Sequence, residues 1–508
     1  MTSNAAVAPV VRTSDEIYTA VRDAEGRPLL SGCYPDPTIE RVGGDYYLAT
    51  STFEYFPGIP IFHSTDLVTW TQIGHALDSE GQLAMTHTRP SGGLFAPTLR
   101  HHDGQWYLIC TVVQDEEPNG NFVMTADNPE GPWSDPIWFD DAPGIDPSLF
   151  FDEDGRAWYT GTKLIERDWP QQTVVWMREF DIAQRRLVGP VHELWSGAVT
   201  GAIWAEGPHI YRRGDWYYLL ASEGGTSFFH ALSVARSRSV TGPYEGFAGN
   251  PVFTHRTLGT GAPIQNVGHA DLVAIDDERW AAVFLATRPV DGATVLGRET
   301  FIVDVEWQDD WPVFAPGRGR IDARPAGAEP ASFPATAQWC QVRTDRHDFA
   351  DIDEERREIR IRPLEGRPDE PTTPAFVGVR QRHHSFSLRG DIRVGGGIAA
   401  RMSDNAFIWV ERDETTVRVL GLDEPLTVDI DAAEIVSLAL ESDGADYVVR
   451  QRSADGDRVL ASVAASHLSV ERAGGFLGVW VGFLCHGEAE TTISGVEYEG
   501  RGRVPVTE

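Results

Sequence analysis

Asp36-Pro37-Thr38-Ile39, followed by a polar turn and Asp45-Tyr46-Tyr47-Leu48, is the first copy of a pattern that decides the fold. Later copies begin Ala96-Pro97-Thr98-Leu99, Asp146-Pro147-Ser148-Leu149, Gly207-Pro208-His209-Ile210 and His269-Ala270-Asp271-Leu272. Each leads through a turn into an aromatic-rich strand: Gln105-Trp106-Tyr107-Leu108, Ala157-Trp158-Tyr159, Asp215-Trp216-Tyr217-Tyr218 and Arg279-Trp280. The copies start about 50 to 60 residues apart, a spacing at which sheet-built repeats form propeller blades. Equivalent positions of a propeller converge on its axis. The pattern therefore brings Asp36, Asp146 and Glu206 together from three distant parts of the chain.

The remaining sequence fits an all-β chain. Short β-rich runs such as Tyr46–Thr50, Ile59–His63, Trp106–Val112 and Tyr217–Ala221 are separated by Gly, Pro, Asp and Asn, and helical periodicity is nearly absent between 28 and 320. Five units of four strands are expected there, with residues 1–27 as a poorly ordered arm or edge strand. The texture changes near 316–336, where Pro316-Gly317-Arg318-Gly319-Arg320 and Arg324-Pro325-Ala326-Gly327-Ala328-Glu329-Pro330 read as a linker, placed at 321–336. Residues 337–508 carry alternating runs such as Phe407-Ile408-Trp409-Val410, the signature of a C-terminal β-sandwich domain.

Composition narrows the function. The 508 residues carry a net charge of −33, which repels nucleic acid and anionic membrane surfaces but suits a neutral sugar. A hydrophobic content of 41% with 16 Trp is that of a globular protein. Cys33, Cys110, Cys340 and Cys485 form no CxxC pair and are too sparse for a disulfide scaffold. Met1–Arg12 lacks a signal-peptide pattern, and the longest apolar run, 476–485, is too short to span a bilayer. The expected location is the cytoplasm.

Two carboxyl groups flanking a sugar bond are the equipment of glycoside hydrolysis, one donating a proton to the leaving oxygen and the other activating water or attacking directly. Asp36 and Glu206 are the candidates, each held near a proline that restricts the backbone. An ionised Asp146 beside them would keep Glu206 protonated near neutral pH. A single Asp-Pro is more often a turn; three acids on equivalent positions of a repeat point to chemistry. His269 fills the fifth slot, either as a hydrogen-bond donor that positions Glu206 or water, or as a metal ligand. Arg288 either binds sugar hydroxyls and offsets the acids or forms a surface salt bridge. Phe53, Tyr55 and Phe56 suit sugar stacking or packing between blades. Gly224-Gly225-Thr226 marks either a close approach to ligand or a turn.

These residues carry a resemblance. The stretch Gly32–Trp70 resembles the opening of glycoside hydrolase family 43 β-xylosidases. So do Ser91-Gly92-Gly93-Leu94-Phe95-Ala96-Pro97, Gly144-Ile145-Asp146-Pro147-Ser148, Ala205-Glu206-Gly207-Pro208, Gln265-Asn266-Val267-Gly268-His269-Ala270-Asp271-Leu272 and Leu296-Gly297-Arg298-Glu299-Thr300. The resemblance implies a five-bladed β-propeller with a C-terminal β-sandwich domain. It implies an inverting mechanism with Asp36 as general base, Glu206 as general acid and Asp146 as pKa modulator. It also implies Arg288, His269, Phe53, Phe95 and Thr226 around the sugar, with Phe476 reaching in from a sandwich loop. Cys33, Tyr55 and Phe95 stand where the family often has Phe, Trp and Trp, and the two aromatic changes bear on the wall of the sugar site.

The resulting expectation is an exo-acting β-1,4-xylosidase releasing xylose from the non-reducing ends of xylo-oligosaccharides. An α-L-arabinofuranosidase, or an enzyme of both activities, is the nearest alternative, and a non-catalytic sugar-binding propeller is the alternative from another class. Inversion calls for carboxyls roughly 6.5–9.5 Å apart. No organic cofactor is required; a calcium ion near His269 in the axial channel is the one metal to test. Assembly into homo-oligomers is common in the branch that the chain resembles.

Overall fold

The computed structural model describes residues 12–502 apart from 80, 87, 326, 346, 348, 432 and 455. Five antiparallel sheets follow one another along the chain, each a contiguous stretch. Their first strands are Thr38–Val42, Thr98–His102, Ile145–Phe151, Glu206–Arg213 and Gln265–Ala274. These are the innermost strands of a five-bladed propeller. Blade 2 has an extra short strand, Gly93–Leu94, paired to Gln105–Val113.

The aromatic residues of the repeat stitch neighbouring blades. Tyr47 meets Trp106 at 4.7 Å between ring centroids, Tyr107 meets Phe151 at 5.1 Å, and Tyr218 meets Trp307 at 4.7 Å. Such pairs contribute about 0.5–1.5 kcal/mol each beyond the area they bury.

The segment expected as an arm or edge strand is a helix, Ser14–Ala24; residues 1–11 lie outside the described residues. Thr13 and Glu16 form a capping box that satisfies two orphan donors of the first turn. Ile17, Val21 and Ala24 fall on one face and pack with Ile39, Tyr46, Val283 and Ile302 over the seam between blades 1 and 5. Tyr18 adds a hydrogen bond to Glu306 at 2.7 Å. The helix thus helps close the ring, together with Leu29 and Leu30, whose backbone pairs with Thr300 of blade 5.

The C-terminal third is a sandwich of two sheets. The stretch expected as a linker is tied down: Ile321 is buried in the core of blades 4 and 5, and Glu329–Ser332 pairs with Thr491–Arg501. The domains also share a sheet. Tyr55–Phe56, from blade 1, pairs with Cys340–Val342 at the edge of the sandwich. Tyr55 stacks on Trp480 with centroids 3.5 Å apart and planes 6° from parallel. No helix among the described residues is long and apolar enough to cross a membrane.

Candidate active site

In four of the five blades the repeated slot at the head of the inner strand has a shared backbone geometry. Asp36, Asp146, Gly207 and His269 all lie in the left-handed region, with φ of 54°, 55°, 60° and 46°. Strand register slips at this point in blades 3, 4 and 5. A left-handed residue in a bulge re-aims its side chain toward the axis. For residues other than glycine this conformation is uncommon, although Asp and His tolerate it better than most. Three such residues at one place mark strain kept at a site of use. In blade 4 the slot is Gly207, and the acid stands one residue earlier as Glu206, with a longer side chain.

The cavity at this end of the axis is lined by Asp36, Phe53, Phe95, Asp146, Glu206, Thr226, His230, His269, Arg298 and Phe476, among others. Asp36 is almost fully buried. Its carboxylate accepts hydrogen bonds from Ser51 Oγ at 2.5 Å and Arg298 Nη1 at 3.0 Å, and His269 Nδ1 stands 3.4 Å away. Burial alone would raise its pKa, but Arg298, His269 and Ser51 outweigh burial and hold it below the usual aspartate value. Arg298 also donates to Thr226 Oγ1 at 3.1 Å, and its guanidinium lies 5.5 and 5.4 Å from the centroids of Phe53 and Phe476.

Glu206 has the opposite balance. Its carboxyl lies deep in the cleft. Burial together with the charges of Asp146 and Asp36 pushes its pKa well above the usual value, against a smaller opposing pull from Arg298. Asp146 accepts from the Gly207 backbone N–H at 3.0 Å, so it is linked directly to the chain carrying Glu206. Its own pKa is raised by burial and by Asp36, against the pull of His269. The cavity thus holds one carboxyl kept ionised and one kept protonated.

Phe476 enters from the sandwich. Its N–H donates to Ser91 Oγ at 3.0 Å, and Gly475, at φ 78°, lets the loop approach; a Cβ there would come within 2.2 Å of the same oxygen. Phe476, Phe53 and Phe95 form an aromatic corner with centroids 5.4–6.0 Å apart.

Two expected wall residues lie elsewhere. Arg288 is not in the cavity: it forms a buried two-pronged ion pair with Glu299, at 2.6 and 2.8 Å. The cavity arginine is Arg298, at the other end of the same hairpin, within a stretch already matched in the sequence. Tyr55 is likewise no part of the wall; Trp480 covers its ring and Arg401 binds its hydroxyl at 2.8 Å. His230 is a lining residue that the repeat did not reveal, because it precedes the third strand of blade 4. Its Nδ1 stands 2.9 Å from the Asn266 carbonyl oxygen, and burial lowers its pKa to about 4, so the ring is neutral near pH 7.

The surroundings of His269 do not fit calcium, which takes 6–8 oxygen ligands. Of the cavity carboxyls, Asp36 is already engaged by Arg298, Asp146 by the Gly207 N–H, and Glu206 keeps its proton; the other polar groups beside His269 include imidazole and guanidinium nitrogens. Among the described residues no three His, Cys, Asp or Glu side chains are grouped to hold a metal ion.

Two residues further along the inner strands, the axis is plugged. Asp271, fully buried, accepts from Thr38 Oγ1 at 2.8 Å, Ile39 N at 3.0 Å, Arg100 Nη1 at 2.9 Å and Tyr211 OH at 2.6 Å. Ser148 Oγ and Arg100 Nη2 both lie within 3.2 Å of His209 Nδ1. All five blades contribute to this floor.

A propeller whose plugged axis holds two carboxyls of opposed ionisation defines a class: hydrolases of sugar–oxygen bonds. Comparison with known proteins specifies it. The chain belongs to the glycosyl hydrolases family 43, which it matches over residues 26–312. Residues 334–497 match the beta xylosidase C-terminal concanavalin A-like domain. A xylosidase/arabinosidase from Butyrivibrio fibrisolvens is 36% identical over 93% of this chain and 97% of its own length. A non-reducing end alpha-L-arabinofuranosidase from Bacteroides ovatus is 32% identical over 93% of each chain. The solved structure of a xylan beta-1,4-xylosidase from Bacillus halodurans superposes with a TM-score of 0.83 at 29% identity, covering 94% of this chain and 100% of that one. The protein is a glycoside hydrolase, and its substrate is a carbohydrate.

Proposed function

We propose that this hydrolase is an inverting, exo-acting β-1,4-xylosidase that removes single xylosyl units from the non-reducing ends of xylo-oligosaccharides. The observation that carries the mechanism is the divergence of two carboxyls across one cavity, Asp36 held ionised and Glu206 held protonated. A water held by Asp36 attacks the anomeric carbon and gives its proton to that carboxylate. The bond from that carbon to the leaving oxygen breaks, and Glu206 passes its proton to that oxygen. Asp146 keeps the proton on Glu206 and fixes the backbone beside it. Arg298, flanked by two phenyl rings, holds the base ionised and presents N–H groups to sugar hydroxyls. The reaction balances with water alone and consumes no organic cofactor.

The floor plugged by Asp271, Arg100 and Tyr211 ends the cleft at the level of the three acids, which favours one terminal sugar over a threaded polymer. The xylosidase names of the relatives support a xylosyl unit. The arabinofuranosidase from Bacteroides ovatus supports the second reading, since one set of acids serves both pentosides. Turnover of nitrophenyl β-xyloside against nitrophenyl α-L-arabinofuranoside separates the two, and a clear preference for the arabinofuranoside would overturn the first. NMR of the first-formed sugar tests inversion; retained configuration would sink it. The four unpaired cysteines fit a reducing cytoplasm, and light scattering reads whether homo-oligomers form.

A further inference from the structure

Beyond the catalytic cavity the cleft widens into a second one of about 470 Å³. Phe95, Ile145, Glu206, Thr226 and Phe476 line both, whereas Asp36 lines only the inner one. In the proposed reaction Glu206 protonates the leaving oxygen, so the outer cavity receives the leaving group; the inference rests on that reading.

The outer walls are largely apolar: Val113, Leu164, Trp204 and the shared residues. Two cations stand among them, Arg89 and Lys163. Lys163 is the only lysine in the chain. It sits near the end of the second strand of blade 3, beside Leu164, whose side chain is 51% exposed. Its ammonium lies 5.8 Å from the Trp176 ring centroid and pairs with no carboxylate among the described residues. Arg89, by contrast, has Asp115 at 4.0 Å, and Arg298 has Asp36. An ammonium without a counter-charge on an apolar wall is matched best by a carboxylate on the ligand. The inner cavity, with Asp36 and Asp146, repels such a group. A chain of net charge −33 also repels an anion at long range, so a local cation is needed to hold one.

We propose that Lys163 binds an anionic substituent on the leaving side of the scissile bond, so that the enzyme accepts oligosaccharides whose leaving sugar carries a uronic acid. Arg89 lines the same cavity, and its pairing with Asp115 leaves Lys163 as the principal contact.

The single lysine makes the test direct. Acetylation of the intact protein removes the charge of Lys163, and reductive dimethylation keeps it; both also modify the terminal amine. The reading is the ratio of kcat/KM for a xylo-oligosaccharide with a uronosyl group on its leaving residue to that for the unsubstituted oligosaccharide. Acetylation is expected to lower the ratio about three- to tenfold, dimethylation to preserve it, and added salt to lower it. Lys163→Met should match the acetylated protein and no longer respond to the reagent, which separates Lys163 from the terminal amine. An unchanged ratio overturns the proposal, as does failure of the unmodified protein to cleave the acid-bearing substrate; an equal fall for both substrates points to packing against Trp176 alone. Absence of nitrophenyl xyloside turnover in every sample would sink the proposed function instead. Calorimetric binding of the acid-bearing oligosaccharide to the unmodified and acetylated proteins would still read the contribution of Lys163.

Discussion

Two levels of one axis, two residues apart along the same strands, treat buried carboxyls in opposite ways. Asp271 on the floor meets Arg100, Thr38, Tyr211 and a backbone N–H. Burial would raise its pKa, but Arg100 and its other partners hold it far below the usual aspartate range. Glu206 on the catalytic level meets two further carboxyls, and its pKa rises. Desolvation pushes both pKa values up; the neighbours decide the sign. The floor uses a carboxylate to join blades, whereas the upper level holds one against its preferred charge state, as the proposed general acid requires.

Charge-neutralising substitutions break this comparison most sharply. Asp36→Asn and Glu206→Gln should each lower kcat roughly 10²–10⁴-fold on nitrophenyl xyloside with the circular dichroism spectrum unchanged, since each removes one half of the acid–base pair. In urea unfolding at pH 7 the same change should have opposite signs at the two levels. Asp271→Asn leaves the buried Arg100 with only Glu40, 4.0 Å from its Nε, as a counter-charge and should cost about 3 kcal/mol. Glu206→Gln should stabilise the fold. The folded chain keeps a proton on Glu206 that the unfolded chain releases above the ordinary glutamate range, so stability falls as pH rises from that range toward the folded value. Asp271 runs the other way: its contribution is present above the ordinary aspartate range and is lost as pH falls toward its depressed value. A Glu206→Gln protein less stable than the parent would refute the contrast.

Arginines sharpen it further. Arg298→Met removes the main charge holding Asp36 ionised, so the acid limb of the kcat/KM profile should move to higher pH. An unmoved limb would show that His269 and Ser51 suffice. Arg288→Met leaves Glu299 buried and unpaired and should lower stability by about 3 kcal/mol, with KM for nitrophenyl xyloside within about twofold. A large rise in KM would return Arg288 to the sugar site.

The repeat made much of this legible, because equivalent positions of a closed ring must meet. Asp36, Asp146, Glu206 and His269 needed only that argument, whereas the left-handed bulge that aims them leaves no mark beyond Asp, Gly and His at one slot. Arg298 and Arg288 flank the same hairpin, and nothing in residue type tells which end faces the axis. The Thr13-x-x-Glu16 signature was present ahead of Ile17, Val21 and Ala24, but a helix of 11 residues is easily overlooked before a β-rich chain. His230 and the partners of Asp271 are set by contacts between blades, and a list of repeats does not contain them. Tyr55 belongs to a domain interface formed with residues almost 300 positions or more away, out of reach of local pattern.

That shared edge has a consequence for how the enzyme is made. Blade 1 leaves the ribosome early, yet the partner strand of Tyr55–Phe56 is Cys340–Val342, and Phe476 is made later still. A nascent chain that has completed all five blades carries the catalytic acids but lacks one wall of its sugar pocket. Maturation of the pocket therefore waits for the second domain. The same dependence limits recombination among relatives: a crossover placed between the domains must carry the loop from Phe53 to Phe56 together with the sandwich that receives it.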